Sequence, residues 1–171
     1  MAGQSEAMIG ALIDRMDTYP DRRVIGTCAG AILLASTGAG REPNVGAKIA
    51  RNAWGRQRQS FEGVVDVVIQ TPQADYKAIA PVGPDRFQHQ PLEVQSLGAN
   101  TLDAGFPGVF IRAPRFDAAS ISCTVAARLG DEVVGVQDGS KLGLTFHPEL
   151  TLDRRFHRWL LNQARQQKGV V

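Results

Sequence analysis

The sequence predicts a single three-layer α/β domain, residues 1–171, built on a mixed sheet. The β-like pair Val24-Ile25 runs almost directly into the compact apolar helical pattern of residues 29–35, the strand-to-helix succession of an α/β unit. Four β-rich runs separated by Gly- or Asp-containing turns fill the second half, so hairpin-paired strands must share the sheet with any parallel ones. At 171 residues and 43% hydrophobic content the chain can bury one sizeable core but is too short to expect two.

The first element is an amphipathic helix over residues 5–16, where Met8, Ile9, Leu12, Ile13 and Met16 recur at helical spacing. Ser5 suits its N-cap and Glu6 its first turn, so the helix is predicted to begin near Ser5. Asp21-Arg22-Arg23 then leads into the strand Val24-Ile25, and Cys28 falls at the corner before the helix of residues 29–35, the place of a nucleophile elbow. Strands are predicted at 45–51 and 60–70, the second rich in valine, with a polar, arginine-rich turn between them. Residues 71–105 carry Pro72, Pro81, Pro84 and Pro91 without sustained periodicity and read as a surface insertion. Beyond it, strands are predicted at 109–112, 121–129, 132–136 and 141–146, with hairpin turns at Gly130-Asp131 and Asp138-Gly139. A terminal helix over 152–166 follows, Leu152, Phe156, Trp159, Leu160 and Gln163 tracing one face.

Composition removes several function classes. The net charge of +2 comes from 19 basic and 17 acidic residues spread along the chain, without a concentrated basic face, so nucleic acid is not an expected partner. No apolar run approaches the roughly 20 residues of a membrane span and no leader pattern is present, which makes a soluble, cytoplasmic protein the expectation, with no membrane partner. Cys28 and Cys123 are expected as free thiols, and Cys123, between Ser122 and Thr124 in an alternating strand, as a packed one. His89 and His157 have no neighbours at metal-ligand spacing and read as solvated; neither a metal nor a cofactor is expected. A phosphate loop is disfavoured because the Gly-Lys-Ser/Thr ending is missing.

The chemistry concentrates in Cys28 and, 119 positions downstream, His147-Pro148-Glu149. A thiol becomes a useful nucleophile near neutral pH when an imidazole withdraws its proton, and the imidazole needs a carboxylate to fix its tautomer. His147 ends a strand, where side chains of open α/β sheets project into a catalytic crevice. Cys28, His147 and Glu149 are therefore the candidate nucleophile, base and orienter.

Read together, Gly26-Thr27-Cys28-Ala29-Gly30 and Phe146-His147-Pro148-Glu149 resemble the class I, or triad, glutamine amidotransferases. Gly3-Gln4-Ser5, the segment from Arg51 to Gln57 with Ser60-Phe61-Glu62, and the segment from Gly108 to Pro114 narrow the resemblance to the glutaminase subunits of pyridoxal 5′-phosphate synthase. The fold implied is the flavodoxin-like three-layer domain of class I amidotransferases. The reaction implied is hydrolysis of L-glutamine to L-glutamate and ammonia through a thioester on Cys28, the ammonia passing to a synthase subunit in a hetero-oligomer. By the same resemblance, Gly3, Gln4, Ser5, Arg51, Ile111 and Arg112 would line the glutamine, and the amides of Gly3 and Ala29 would form the oxyanion hole. Arg51 suits that role as a buried guanidinium capturing a carboxylate in two-point fashion.

The sequence departs from the family in two places. Gln4 stands where the family has glutamate, which keeps an acceptor and removes a charge. A strand-helix-strand unit on the order of 40 residues, expected before Gly3, is absent, so the domain is expected to be N-terminally truncated. Two alternatives accompany this reading: a non-catalytic remnant that binds the synthase, and a class I amidotransferase serving another acceptor pathway.

Overall fold

The structure is a computed structural model that describes residues 2–38, 40–51, 53–54, 60–69 and 105–166; the predicted insertion, apart from its final residue, and His89 lie outside the described residues. In chain order the elements are α1 (Ala2–Thr18), β1 (Val24–Thr27), α2 (Ala29–Ala35), β2 (Ile49–Ala50), β3 (Ser60–Val67), β4 (Phe106–Ile111), β5 (Arg115–Phe116), β6 (Thr124–Leu129), β7 (Glu132–Asp138), β8 (Lys141–Leu144) and α3 (Arg155–Gln166). Single 3-10 turns occupy Ala118–Ser120 and Pro148–Leu150.

One six-stranded sheet runs in the order β1-β8-β7-β6-β3-β4, and β2 pairs with β5 in a separate ribbon. The β1–β8 pair is parallel while the other pairs are antiparallel, so the sheet is mixed as the sequence implies. Gly130 (φ 57°) and Gly139 (φ 52°) supply the left-handed corners of the two predicted hairpins. β3 holds β4 from Ser60 to Val65 but meets β6 only at Asp66 and Val67. The sheet therefore curls there, and β4 swings back toward the residues that follow β8, where His147 N–H donates to the Val109 carbonyl at 2.8 Å.

Each face of the sheet is covered by helices. On one face Phe156 and Trp159 of α3 pack with Val134, Leu142, Leu144, Phe106, Phe110 and Phe146. The aromatic rings there stack edge to face, Phe106 on Phe156 at 4.9 Å and Phe146 on Phe156 at 5.7 Å between centroids. On the other face Ile13 and Met16 of α1 and Ala31 and Leu34 of α2 close over Val45, Phe116 and Val136. Three layers result. Among the described residues no helix is long and apolar enough to cross a membrane.

Several predicted boundaries moved, β4 beginning at Phe106 rather than Val109 and β8 ending at Leu144 rather than Phe146 among them, and four of the shifts have a clear physical reason. α1 begins at Ala2, so Ser5 lies within it rather than capping it; the preceding Ala-Gly-Gln contains no proline to stop the helix. The strand predicted over 45–51 shrinks to β2, because the amides there find partners outside any ladder: Val45 N–H on the Leu34 carbonyl, Gly46 N–H on Asp138 Oδ2 and Lys48 N–H on Ser120 Oγ. β6 starts three residues later than predicted, since Ser122 N–H is taken by the Gly46 carbonyl. α3 starts at Arg155, not at Leu152, because the Asp153 carboxylate accepts from Arg155 N–H and fixes the helix start there, leaving Leu152 exposed.

Candidate active site

Cys28 sits between β1 and α2 with φ 48° and ψ −105°, a left-handed backbone that costs a non-glycine residue on the order of 1–3 kcal/mol. The surroundings hold it there. Its N–H donates to the Leu144 carbonyl at the end of β8 at 2.8 Å, and its carbonyl accepts from Ala31 N–H at 3.1 Å. Gly26 makes the tight corner possible, since a Cβ at that position would lie 2.5 Å from the Gly30 carbonyl oxygen and 2.8 Å from Leu34 Cδ1. This is the strand-to-helix elbow expected from the sequence.

His147 follows β8, the strand parallel to β1, so Cys28 and His147 both follow the C-terminal ends of adjacent parallel strands. Both are tied to the same end of β4: the Cys28 thiol donates weakly to the Ile111 carbonyl at 3.8 Å, and His147 N–H reaches the Val109 carbonyl two residues earlier. His147 Nδ1 lies 2.7 Å from Glu149 Oε1. An ionised carboxylate can only accept, so Nδ1 carries the proton and Nε2 is left with the lone pair that a base requires.

Opposing influences act on the thiol. Burial pushes the Cys28 pKa up, a backbone hydrogen bond from Ala29 draws it down, the Glu149 charge raises it and the Arg112 guanidinium lowers it. Three other predicted residues, Ala29, Glu149 and Arg112, thus act on the Cys28 sulfur, and Ile111 provides its hydrogen-bond acceptor. Arg112, at φ 43°, is the other non-glycine residue with a left-handed backbone among the described residues.

The remaining predicted residues are placed less closely. Gly3, Gln4 and Ser5 belong to the first turn of α1, whose amides have no partners within a helix. Arg51 is exposed in the turn after β2, not buried as expected. Its turn is nonetheless anchored near Arg112, because Trp54 Nε1 donates to the Pro114 carbonyl at 3.2 Å and the Trp54 ring packs on Phe61 at 5.1 Å. Cys28 and Cys123 are both free thiols, and Cys123 packs against the α1 and α2 side of the core.

His157 corrects an expectation. It is half-buried rather than solvated, and its Nδ1 is buried without a hydrogen-bond partner among the described residues. Burial and Arg154 lower its pKa while Glu149 raises it. Its position beside Phe156 on the buried side of α3 was the available signal. No group of three or more His, Cys, Asp or Glu suited to a metal occurs among the described residues.

Comparisons with known proteins place the chain among glutamine amidotransferases. A family model described as the SNO glutamine amidotransferase family matches residues 87–166, which include His147 and Glu149. A crystal structure of a glutamine amidotransferase superposes with a TM-score of 0.60 at 34% identity, covering 91% of this chain and 68% of that one. The chain belongs to the glutamine amidotransferase family. Among sequence relatives, the pyridoxal 5′-phosphate synthase subunit PdxT of Methanosarcina acetivorans is 36% identical over 149 residues, covering 82% of this chain. PdxT of Thermus thermophilus is 40% identical over 146 residues, again covering 82% of this chain. The chain spans 59% of the length of these curated relatives.

Proposed function

We propose that this amidotransferase hydrolyses L-glutamine to L-glutamate and ammonia and delivers the ammonia to a pyridoxal 5′-phosphate synthase subunit in a cytoplasmic hetero-oligomer. The observation that carries the reading is the pairing of an elbow cysteine at φ 48° with a His147 whose Nδ1 is held by Glu149 at 2.7 Å, on adjacent parallel strands. The likeness to PdxT chains supplies the pathway.

In the proposed reaction the Cys28 sulfur, giving its proton to His147 Nε2, bonds to the side-chain carboxamide carbon of glutamine. His147 returns that proton to the departing nitrogen, the C–N bond breaks, and ammonia leaves a γ-glutamyl thioester. Water, deprotonated by the same imidazole, attacks the thioester, the C–S bond breaks and glutamate is released. The amides of Ala29 and Gly3 would hold the oxyanion of each tetrahedral intermediate. Gly3, Gln4, Ser5, Arg51, Ile111 and Arg112 would position the substrate.

Glutamate and ammonia release, measured with the synthase subunit present, tests the reading. Cys28→Ser and His147→Asn are expected to abolish turnover, and Glu149→Gln to leave a small residue of it, by loss of an effect worth about 10²–10⁴-fold. Full turnover by Cys28→Ser would overturn the mechanism. A folded wild-type chain that binds the synthase without hydrolysing glutamine would identify a non-catalytic binding subunit instead.

A further inference from the structure

We propose that Thr151 is a positioning residue for the His147–Glu149 pair, its hydroxyl fixing the turn that aims the Glu149 carboxylate; the inference rests on the glutaminase reading above. The hydrogen bond of the pair spans only two positions in sequence, so the backbone between them decides whether the carboxylate reaches Nδ1. That backbone is the 3-10 turn Pro148–Leu150, closed by Leu150 N–H on the His147 carbonyl at 3.2 Å.

Thr151 follows this turn and is 3% exposed. Its Oγ1 lies 3.1 Å from the Pro148 carbonyl and 3.3 Å from the Asp153 carbonyl, so one hydroxyl proton is shared between them. The Pro148 carbonyl belongs to the peptide unit that leads into Glu149, and a hydroxyl holding that oxygen sets the orientation of the Glu149 Cα–Cβ bond. Thr151 N–H reaches the same oxygen at 3.3 Å.

Thr151 is itself fixed from behind. The Asp153 carboxylate accepts Arg155 N–H at 2.9 Å on Oδ1 and Arg155 Nε at 2.7 Å on Oδ2, while Arg154 Nη1 donates to the Thr151 carbonyl at 2.7 Å. The start of α3, which is seated in the aromatic core by Phe156, thereby becomes the anchor of the triad turn. Glu149 needs such an anchor. Its side chain is 44% exposed, and among the described residues no hydrogen bond other than that to His147 holds its carboxylate.

The test compares Thr151→Val, which removes the hydroxyl at nearly constant volume, with Thr151→Ser, which keeps it. In Thr151→Val the kcat for glutamine hydrolysis is expected to fall about ten- to a hundredfold with KM little changed, as misplacement of a catalytic group does, and Thr151→Ser should retain wild-type kcat. A second readout needs no turnover: the NMR resonance of the His147 Nδ1 proton, identified by its loss in His147→Asn, should shift or broaden in Thr151→Val and persist in Thr151→Ser. If Thr151→Val does not fold, Thr151→Ala against Thr151→Ser makes the same comparison. An unchanged Nδ1 resonance and unchanged kcat in a folded, hydroxyl-free variant would overturn the proposal. If the wild-type chain hydrolyses no glutamine while the resonance still depends on the hydroxyl, the glutaminase reading fails and the positioning role stands.

Discussion

The Cys28 thiol sits among opposing influences on its proton. Its half-buried sulfur loses solvation, and the nearby Glu149 charge adds to that cost, while the Ala29 amide and the Arg112 guanidinium offset part of it. The net direction is upward, so the folded protein holds this proton to higher pH than the unfolded chain. The associated stability is complete below the unfolded thiol pKa and is lost as pH rises through the folded one. Alkylation of Cys28 by iodoacetamide in the absence of glutamine should therefore rise with pH through a midpoint above the ordinary thiol range. Arg112→Ala should move that midpoint higher still, and a wild-type midpoint below the ordinary range would contradict the balance described. The strand-to-helix corner that holds Cys28 was legible in the sequence from the glycines around it. The opposition of Glu149 and Arg112 was not, because both lie more than eighty positions away and meet the sulfur only through the curl of the sheet.

At the scale of elements, the elbow depends on how closely β1 and α2 approach. Gly26→Ala would drive a methyl carbon against the Gly30 carbonyl and the Leu34 side chain. Overpacking of that kind costs about 1–3 kcal/mol, and here the backbone oxygen cannot step aside as a side chain could. Denaturant melts should show a loss of this size together with reduced glutaminase activity; a variant as stable as wild type would show that the corner can open. The β1–α2 unit was legible because its signals are local. Residues 45–51 misled because Val45 and Ala47 are buried at alternating positions, as in a strand, yet the amides of Val45, Gly46 and Lys48 are satisfied by Leu34, Asp138 and Ser120 rather than by a neighbouring strand. The start of α3 misled in the same way, since Leu152 fits the helical stripe while the Asp153–Arg155 contact fixes the helix start later.

Across the whole molecule, the site exists because one parallel pair sits inside an otherwise antiparallel sheet. β1 and β8 carry Cys28 and His147 to the same end of the sheet, and the bend at β3 brings Ile111 of β4 to Cys28 and Val109 to His147. The three-layer architecture could be read from element succession, whereas this closure could not, as it depends on the short β3–β6 register rather than on any local pattern. In the proposed reaction the sulfur so positioned bonds covalently to glutamine. Its most direct test is mass spectrometry of the Cys28 peptide after rapid acid quenching of the protein with L-glutamine and the synthase subunit. A hydroxylamine-labile γ-glutamyl adduct on Cys28 is expected in the wild type and none in Cys28→Ser. Glutamate and ammonia released at an undiminished rate by Cys28→Ser, with no adduct on any residue, would contradict it.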